Sequence, residues 1–281
     1  VAVDVRRPEA LAESLVDRVR YPISDLSCER SQEVVMDARR QLATRGAAEL
    51  PGFLSTEGLA DLVVDAERLT GRAHKSEGAG TAYLAAPDTS LPERHPTRWR
   101  GPYRVGTVAY DLIPRDSPLR CLYEWAPMIE FVEAIVDRGS VFPYADPFGA
   151  LNLAVMDEGD QLQWHFDQVD FVVSLAIRPS ESGGQFEVVP FVRDGDDERY
   201  ADVAEVLAGD MARVQVLAMT PGTLLFFEGR NSLHRVSPVA GSVSRLVGLL
   251  GYDTSEGTLS SDLLRQSRYG RTTPYSEPPP L

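Results

Sequence analysis

"QWHFDQVDFVVSL" spans residues 163–175, and a histidine and an aspartate interrupt what otherwise reads as the core of a sheet. Side chains on a strand alternate between its two faces, so His165 and Asp167 are expected to project to one side and Phe166 to the other. An imidazole and a carboxylate then form a small polar claw on a strand that continues as "DFVVSL".

The surrounding chain is of globular type. Its 281 residues are 43% hydrophobic and 25% charged, enough to bury a sizeable core. A formal net charge of -14 opposes encounter with nucleic acid or an anionic membrane and favours a small-molecule substrate. Cys28 and Cys121 match no metal or redox spacing and read as free thiols in a reducing compartment. The N-terminal stretch carries acids and arginines where a signal peptide needs an apolar run, and nothing approaches the ~18 apolar residues of a membrane span. A soluble, cytoplasmic protein is the expectation.

Apolar residues recur at helical spacing from Pro8 to Val19, from Ser31 to Leu42 with Ser31 as cap, and from Glu57 to Leu69 behind Ser55 or Thr56. Residues 71–102 are rich in glycine, proline and charge and read as a long surface loop, a candidate lid. A helical stripe follows over 117–137. The texture then changes to short β-prone runs at 150–156, 171–177, 185–191, 213–219, 222–228, 234–238 and 243–252, separated by turn clusters. This is the pattern of a sandwich or barrel. The expected organisation is one domain: a mainly helical flank and lid (1–137), a β core (138–253) and a polar C-terminal arm (254–281).

A lone His-x-Asp pair is more often a solvated face than a site. A non-haem Fe(II) site needs a second histidine from elsewhere in the fold, and His234 in "NSLHRVSP" follows a strand-like run. If 234–238 and 243–250 pair as an antiparallel hairpin across "VAGS", His234 and Arg245 become same-face neighbours on adjacent strands. A guanidinium there suits the distant carboxylate of a metal-chelating diacid, and without such a partner its burial is costly.

With these residues in place, the sequence resembles the iron(II)/2-oxoglutarate-dependent oxygenase superfamily. More narrowly, "FGALNLAVMDEGDQLQWHFDQVDFVVSLAI", "GGQFEVVP" and "PGTLLFFEGRNSLHRVSPV" resemble the bacterial group that contains hydroxylases and radical halogenases of free amino acids. The resemblance covers roughly 149–253 and implies an α+β chain with a double-stranded β-helix, or jelly-roll, core and flanking N-terminal helices. It implies that His165, Asp167 and His234 are the catalytic Fe(II) ligands, that Arg245 binds 2-oxoglutarate, and that O2 is the oxidant. Halogenases of the group carry a small residue such as glycine at the carboxylate position. Asp167 fills it here, so hydroxylation is expected, with desaturation or ring closure open because they begin with the same hydrogen abstraction.

Further assignments follow from position. Asn152 either bonds the cosubstrate or is a structural amide. An amino acid substrate needs a cation for its carboxylate, for which Arg104, Arg98 or Arg100 are candidates, and an anion for its ammonium, for which Asp111, Glu124 or Asp170 are candidates. Gln168 lies close to the claw. Trp164 and Phe166 are assigned to packing, Arg235 to the surface, Gly183 and Gly184 to a turn, and His74 and His95 to the exposed loop. A free, carrier-bound or peptidyl substrate are all compatible with the sequence, as is a homodimer. The rivals are a cupin-like metal enzyme without 2-oxoglutarate, which leaves Arg245 without a purpose, and a binding protein with a degenerate site.

Overall fold

A computed structural model describes residues 7–279. The chain opens with helices α1 (Pro8–Leu15) and α2 (Glu29–Arg45), strand β1 (Ala47–Leu50) and helix α3 (Thr56–Leu69). Ser55 caps α3, its side chain accepting from the Gly58 amide at 2.9 Å. Ser31 is not a cap: α2 begins two residues earlier, and the Ser31 hydroxyl is buried, donating to the Pro22 carbonyl at 2.8 Å.

Strands β2 (His74–Thr81) and β3 (Arg100–Val108) follow. The flank expected to be mainly helical thus also carries three strands of the larger sheet, and the loop expected over 71–102 shrinks to the segment between β2 and β3. Local composition misleads here because "HKSEGAGT" has weak strand propensity, while pairing along the whole of β3 supplies the ladder. The helical stripe of 117–137 is two helices, α4 (Pro118–Glu124) and α5 (Ala126–Val136). Pro127 stands in the first turn of α5, where a missing N–H is harmless, and the break between the two helices falls at Trp125, whose backbone is extended.

The β-rich part contributes β4 (Leu151–Met156), β5 (Leu162–His165), β6 (Val172–Arg178) and β7 (Phe186–Val189), then helix α6 (Tyr200–Leu207). Strands β8 (Gln215–Leu217), β9 (Leu224–Phe227), β10 (Leu233–Val236) and β11 (Arg245–Leu250) complete it, before helix α7 (Asp262–Tyr269). Among the described residues two main antiparallel sheets result, one ordered β1-β9-β6-β11-β4-β3-β2 and the other β8-β7-β10-β5, with two short two-stranded pairs beside them, Ser182–Gly183 with Val239–Ala240 and Phe142–Pro143 with Tyr252–Asp253.

The larger sheet is buried on both faces. Leu151, Leu153, Val155, Val173, Leu175, Leu246 and Leu250 meet the N-terminal helices through Leu15, Leu62, Leu122 and Phe131. The alternate residues Val105, Ala154, Met156, Leu225, Phe227 and Val247 turn the other way and pack on Phe186, Val188 and Val236 of the smaller sheet. The period of two along β4 and β11 thus divides helix-facing from sheet-facing residues. Among the described residues no helix is long and apolar enough to cross a membrane.

Candidate metal centre

The claw forms, although not on one continuous strand. β5 ends at His165, and residues 166–171 form a loop before β6 starts at Val172. Phe166 still turns away from the claw, into an apolar cluster with Trp164, Val189 and Leu233. Asp167 is held by its own backbone, its N–H donating to the Gly229 carbonyl at 3.0 Å.

His234 lies directly opposite His165 across the β10–β5 pairing, which shifts register before Val236 meets Leu162. The extra residue in β5 bends that strand where its last side chain must turn inward. The imidazole centroids stand 4.2 Å apart. His234 Nε2 is 3.3 Å from Asp167 Oδ2, and His165 Nε2 is 3.8 Å from Asp167 Oδ1. The three residues each offer one ligand atom, all within 4.8 Å of one another. Cis ligands on metal bonds of about 2.1 Å stand about 3 Å apart, so little movement separates this arrangement from a facial set.

The tautomers suit this use. His165 Nδ1 lies 2.8 Å from the Gln163 carbonyl and His234 Nδ1 lies 2.9 Å from the Ser232 carbonyl. A carbonyl only accepts, so Nδ1 carries the proton in both rings and each Nε2 lone pair faces Asp167. Burial, then the charge of neighbouring His234, lowers the His165 pKa to about 4, leaving that imidazole neutral near pH 7. Asp167 Oδ2 is buried with no hydrogen-bond partner among the described residues. A buried carboxylate oxygen without a donor, beside two aligned imidazoles, fits a divalent cation.

Arg245 reaches the space between the sheets by a different route from the expected hairpin. Strand β10 pairs with β5 and β7, whereas β11 pairs with β4 and β6, so His234 and Arg245 belong to opposite sheets. The turn residues Val239–Ala240 pair instead with Ser182–Gly183. The hairpin fails because both partners carry an inward face that must be buried against the other. Arg245 shares its face with Val247, and among the described residues its guanidinium finds only the weak acceptor Met156 Sδ at 3.8 Å. Burial alone lowers its pKa to about 10. An unpaired guanidinium between two sheets fits the carboxylate of a diacid.

Thr107 was invisible as a site residue in the sequence. It is 1% exposed and its hydroxyl has no partner among the described residues. It shares its face with Val105 and pairs with Ala154, which pairs in turn with Val247. A second polar group therefore stands on the Arg245 side of the interior, in a stretch with no motif to mark it.

Most of the residues expected to contact substrate are engaged elsewhere. Asn152 is a structural amide: Nδ2 donates to the Phe148 and Leu151 carbonyls at 2.6 and 2.8 Å, and Oδ1 accepts from Tyr269 Oη at 2.8 Å. Arg104 pairs with the buried Asp160 at 3.0 Å. Arg98 and Arg100 donate to the Leu91 and Ala79 carbonyls. Asp111 is clamped by Arg271, both contacts 2.6 Å, and accepts from the Tyr275 amide. Glu124 is held by Arg120 and Tyr110, and Asp170 by Arg230 and Arg138. Arg104, Asp111 and Asp170 found partners distant in sequence, whereas Glu124 is held by Arg120 one helical turn away. The Gln168 side chain is exposed and makes no hydrogen bond among the described residues. Arg235 lies outside, paired with Glu187 at 2.6 Å and over the Trp164 ring.

Comparison with known proteins follows the same lines. The fold is that of solved 2-oxoglutarate-Fe(II) oxygenases. It matches the epimerase SnoN from nogalamycin biosynthesis at 15% identity and a TM-score of 0.56, over 89% of this chain and 93% of that one. AviO1 from Streptomyces viridochromogenes Tue57 matches at 20% identity and TM-score 0.53, over 79% and 95%. A 2OG-Fe(II) oxygenase family oxidoreductase from Burkholderia pseudomallei matches at 17% and 0.51, over 80% and 92%. No curated protein matches the sequence. The family model HalD, halogenase D, matches residues 30–267, and the chain belongs to that family.

Proposed function

We propose that this chain is a cytoplasmic Fe(II)/2-oxoglutarate-dependent oxygenase that hydroxylates an unactivated C–H bond of a free amino acid, or of a small molecule derived from one, with succinate and CO2 as coproducts. The observation that supports it is a three-residue ligand set together with a buried arginine that has no anionic partner among the described residues. In this reading the two sheets are the halves of a jelly roll. His165, Asp167 and His234 hold Fe(II), and Arg245 binds the far carboxylate of 2-oxoglutarate. Fe(II) and 2-oxoglutarate, held there, would supply the reductive activation of O2 that oxidation of an inert C–H bond needs.

The chain's own part is positional. The Gln163 and Ser232 carbonyls fix both imidazoles in the ligating tautomer. Asp167 adds a negative charge that raises the affinity of the set for a divalent cation. Phe186 and Phe227 pack on His234 and exclude water from that side of the centre.

The family's name makes halogenation the second reading. Against it, the Asp167 carboxylate would take the ligand position that a halide would need on a bound metal. The test is succinate release under air, with Fe(II), 2-oxoglutarate and single amino acids, in the presence and absence of chloride, with mass spectrometry of each mixture. A product heavier by one oxygen in both salts is expected. A chlorinated product from the unaltered protein overturns hydroxylation, and Asp167→Ala should abolish the oxygenated product.

A further inference from the structure

The polar C-terminal arm folds back as α7, capped by Ser261, whose side chain accepts from the Leu264 amide. Three side chains fix this segment: Arg265 pairs with Asp146 at 3.2 Å, Tyr269 donates to Asn152, and Arg271 clamps Asp111. Strand β4 runs away from Asn152 and β5 returns to end at His165, so antiparallel connection leaves Asn152 and His165 at the same end of the two-sheet core. Through Tyr269, α7 is therefore fastened over the end where the ligand histidine opens.

Arg268 sits within this anchored helix, next to Tyr269 and on the same helical face as Arg265, one turn earlier. Unlike Arg265 and Arg271, it makes no hydrogen bond or ion pair among the described residues, and it is half-buried. The backbone of Tyr144 is tied to the Gly251 carbonyl at 3.0 Å at this same end, and its hydroxyl has no partner among the described residues. A protein of net charge -14 repels a free carboxylate unless a local cation receives it.

We propose that Arg268, supported by the Tyr144 hydroxyl, receives the carboxylate of a free amino acid at the mouth of the metal centre. This assignment rests on the oxygenase reading above. It replaces the arginines of the 98–104 stretch, which are committed to other partners, and a guanidinium with a phenol suits a two-point contact to a carboxylate.

The test uses the full chain, without oxygen. Binding of Fe(II) and then of 2-oxoglutarate is measured first by calorimetry, and failure there overturns the oxygenase reading itself. The loaded protein is next titrated with the twenty common amino acids and with their primary amides, which keep the ammonium and lose the negative charge. At least one acid should bind, and its amide should bind on the order of 10- to 100-fold more weakly, the scale of a charge-assisted hydrogen bond. In Arg268→Gln that ratio should collapse towards one, in Arg268→Lys it should be partly kept, and in Tyr144→Phe it should fall by a smaller factor. An unchanged acid-to-amide ratio in Arg268→Gln overturns the assignment, as does the binding of no free acid by a protein that holds both iron and 2-oxoglutarate.

Discussion

A Cβ placed on Gly229 would lie 2.1 Å from Asp167 Oδ2, closer than any real side chain can approach. The glycine is needed for space and not for an unusual backbone angle, since its φ is not in the left-handed region, and its carbonyl accepts the Asp167 amide. Gly229→Ala should therefore displace the carboxylate while leaving the fold intact. Fe(II) affinity should drop on the order of 10- to 100-fold, measured by titration alongside an unchanged far-ultraviolet circular dichroism spectrum.

Arg245 should show opposite effects on stability and on binding. Its guanidinium is buried against a thioether, so Arg245→Met removes a desolvated charge without opening a large cavity. The ligand-free protein should gain on the order of 1 kcal/mol in denaturant unfolding, while 2-oxoglutarate affinity falls by at least about tenfold. A loss of stability would mean that the charge is better solvated than its burial indicates.

Thr107 offers a finer probe of the same region. Replacing it with valine keeps the volume and removes a hydroxyl that has no partner among the described residues. Thr107→Val should leave stability unchanged or slightly raised and weaken 2-oxoglutarate binding on the order of three- to tenfold, the value of one neutral hydrogen bond. Thr107→Ser should retain most of the affinity, and calorimetry on both variants checks the pair.

Acid should release the C-terminal segment before the core unfolds. Burial works to raise the Asp146 carboxyl, but hydrogen bonds from the Ser260 and Phe148 amides and the charge of Arg265 outweigh it and hold the pKa below the ordinary value. A depressed folded-state pKa contributes stability above the unfolded value of about 4 and loses it as pH falls through the folded one. Amide hydrogen exchange of residues 260–279 should accelerate below about pH 4, ahead of β4 and β11. Asp146→Asn should produce the same local acceleration at pH 7.

The sequence by itself determined the short-range features: the period of two along β4 and β11, the cap at Ser55, and the claw, because two residues so close in the chain cannot part far. The N-terminal strands were not legible, since the glycine-rich β2 becomes a strand by pairing with β3 and not by its own propensity. Tertiary structure alone decided which distant groups meet. His234 and Arg245, near neighbours in sequence, belong to opposite sheets, because each strand buries its inward face against the other sheet and not beside its sequence neighbour. The same long-range pairing neutralised Arg104, Asp111 and Asp170, and the anchoring of α7 through Tyr269 brought Arg268 from a tail without any pattern to the end of the core where His165 opens. Spacing along the chain fixes what a residue can do locally, but the partner of a charge is fixed by the packing that surrounds it.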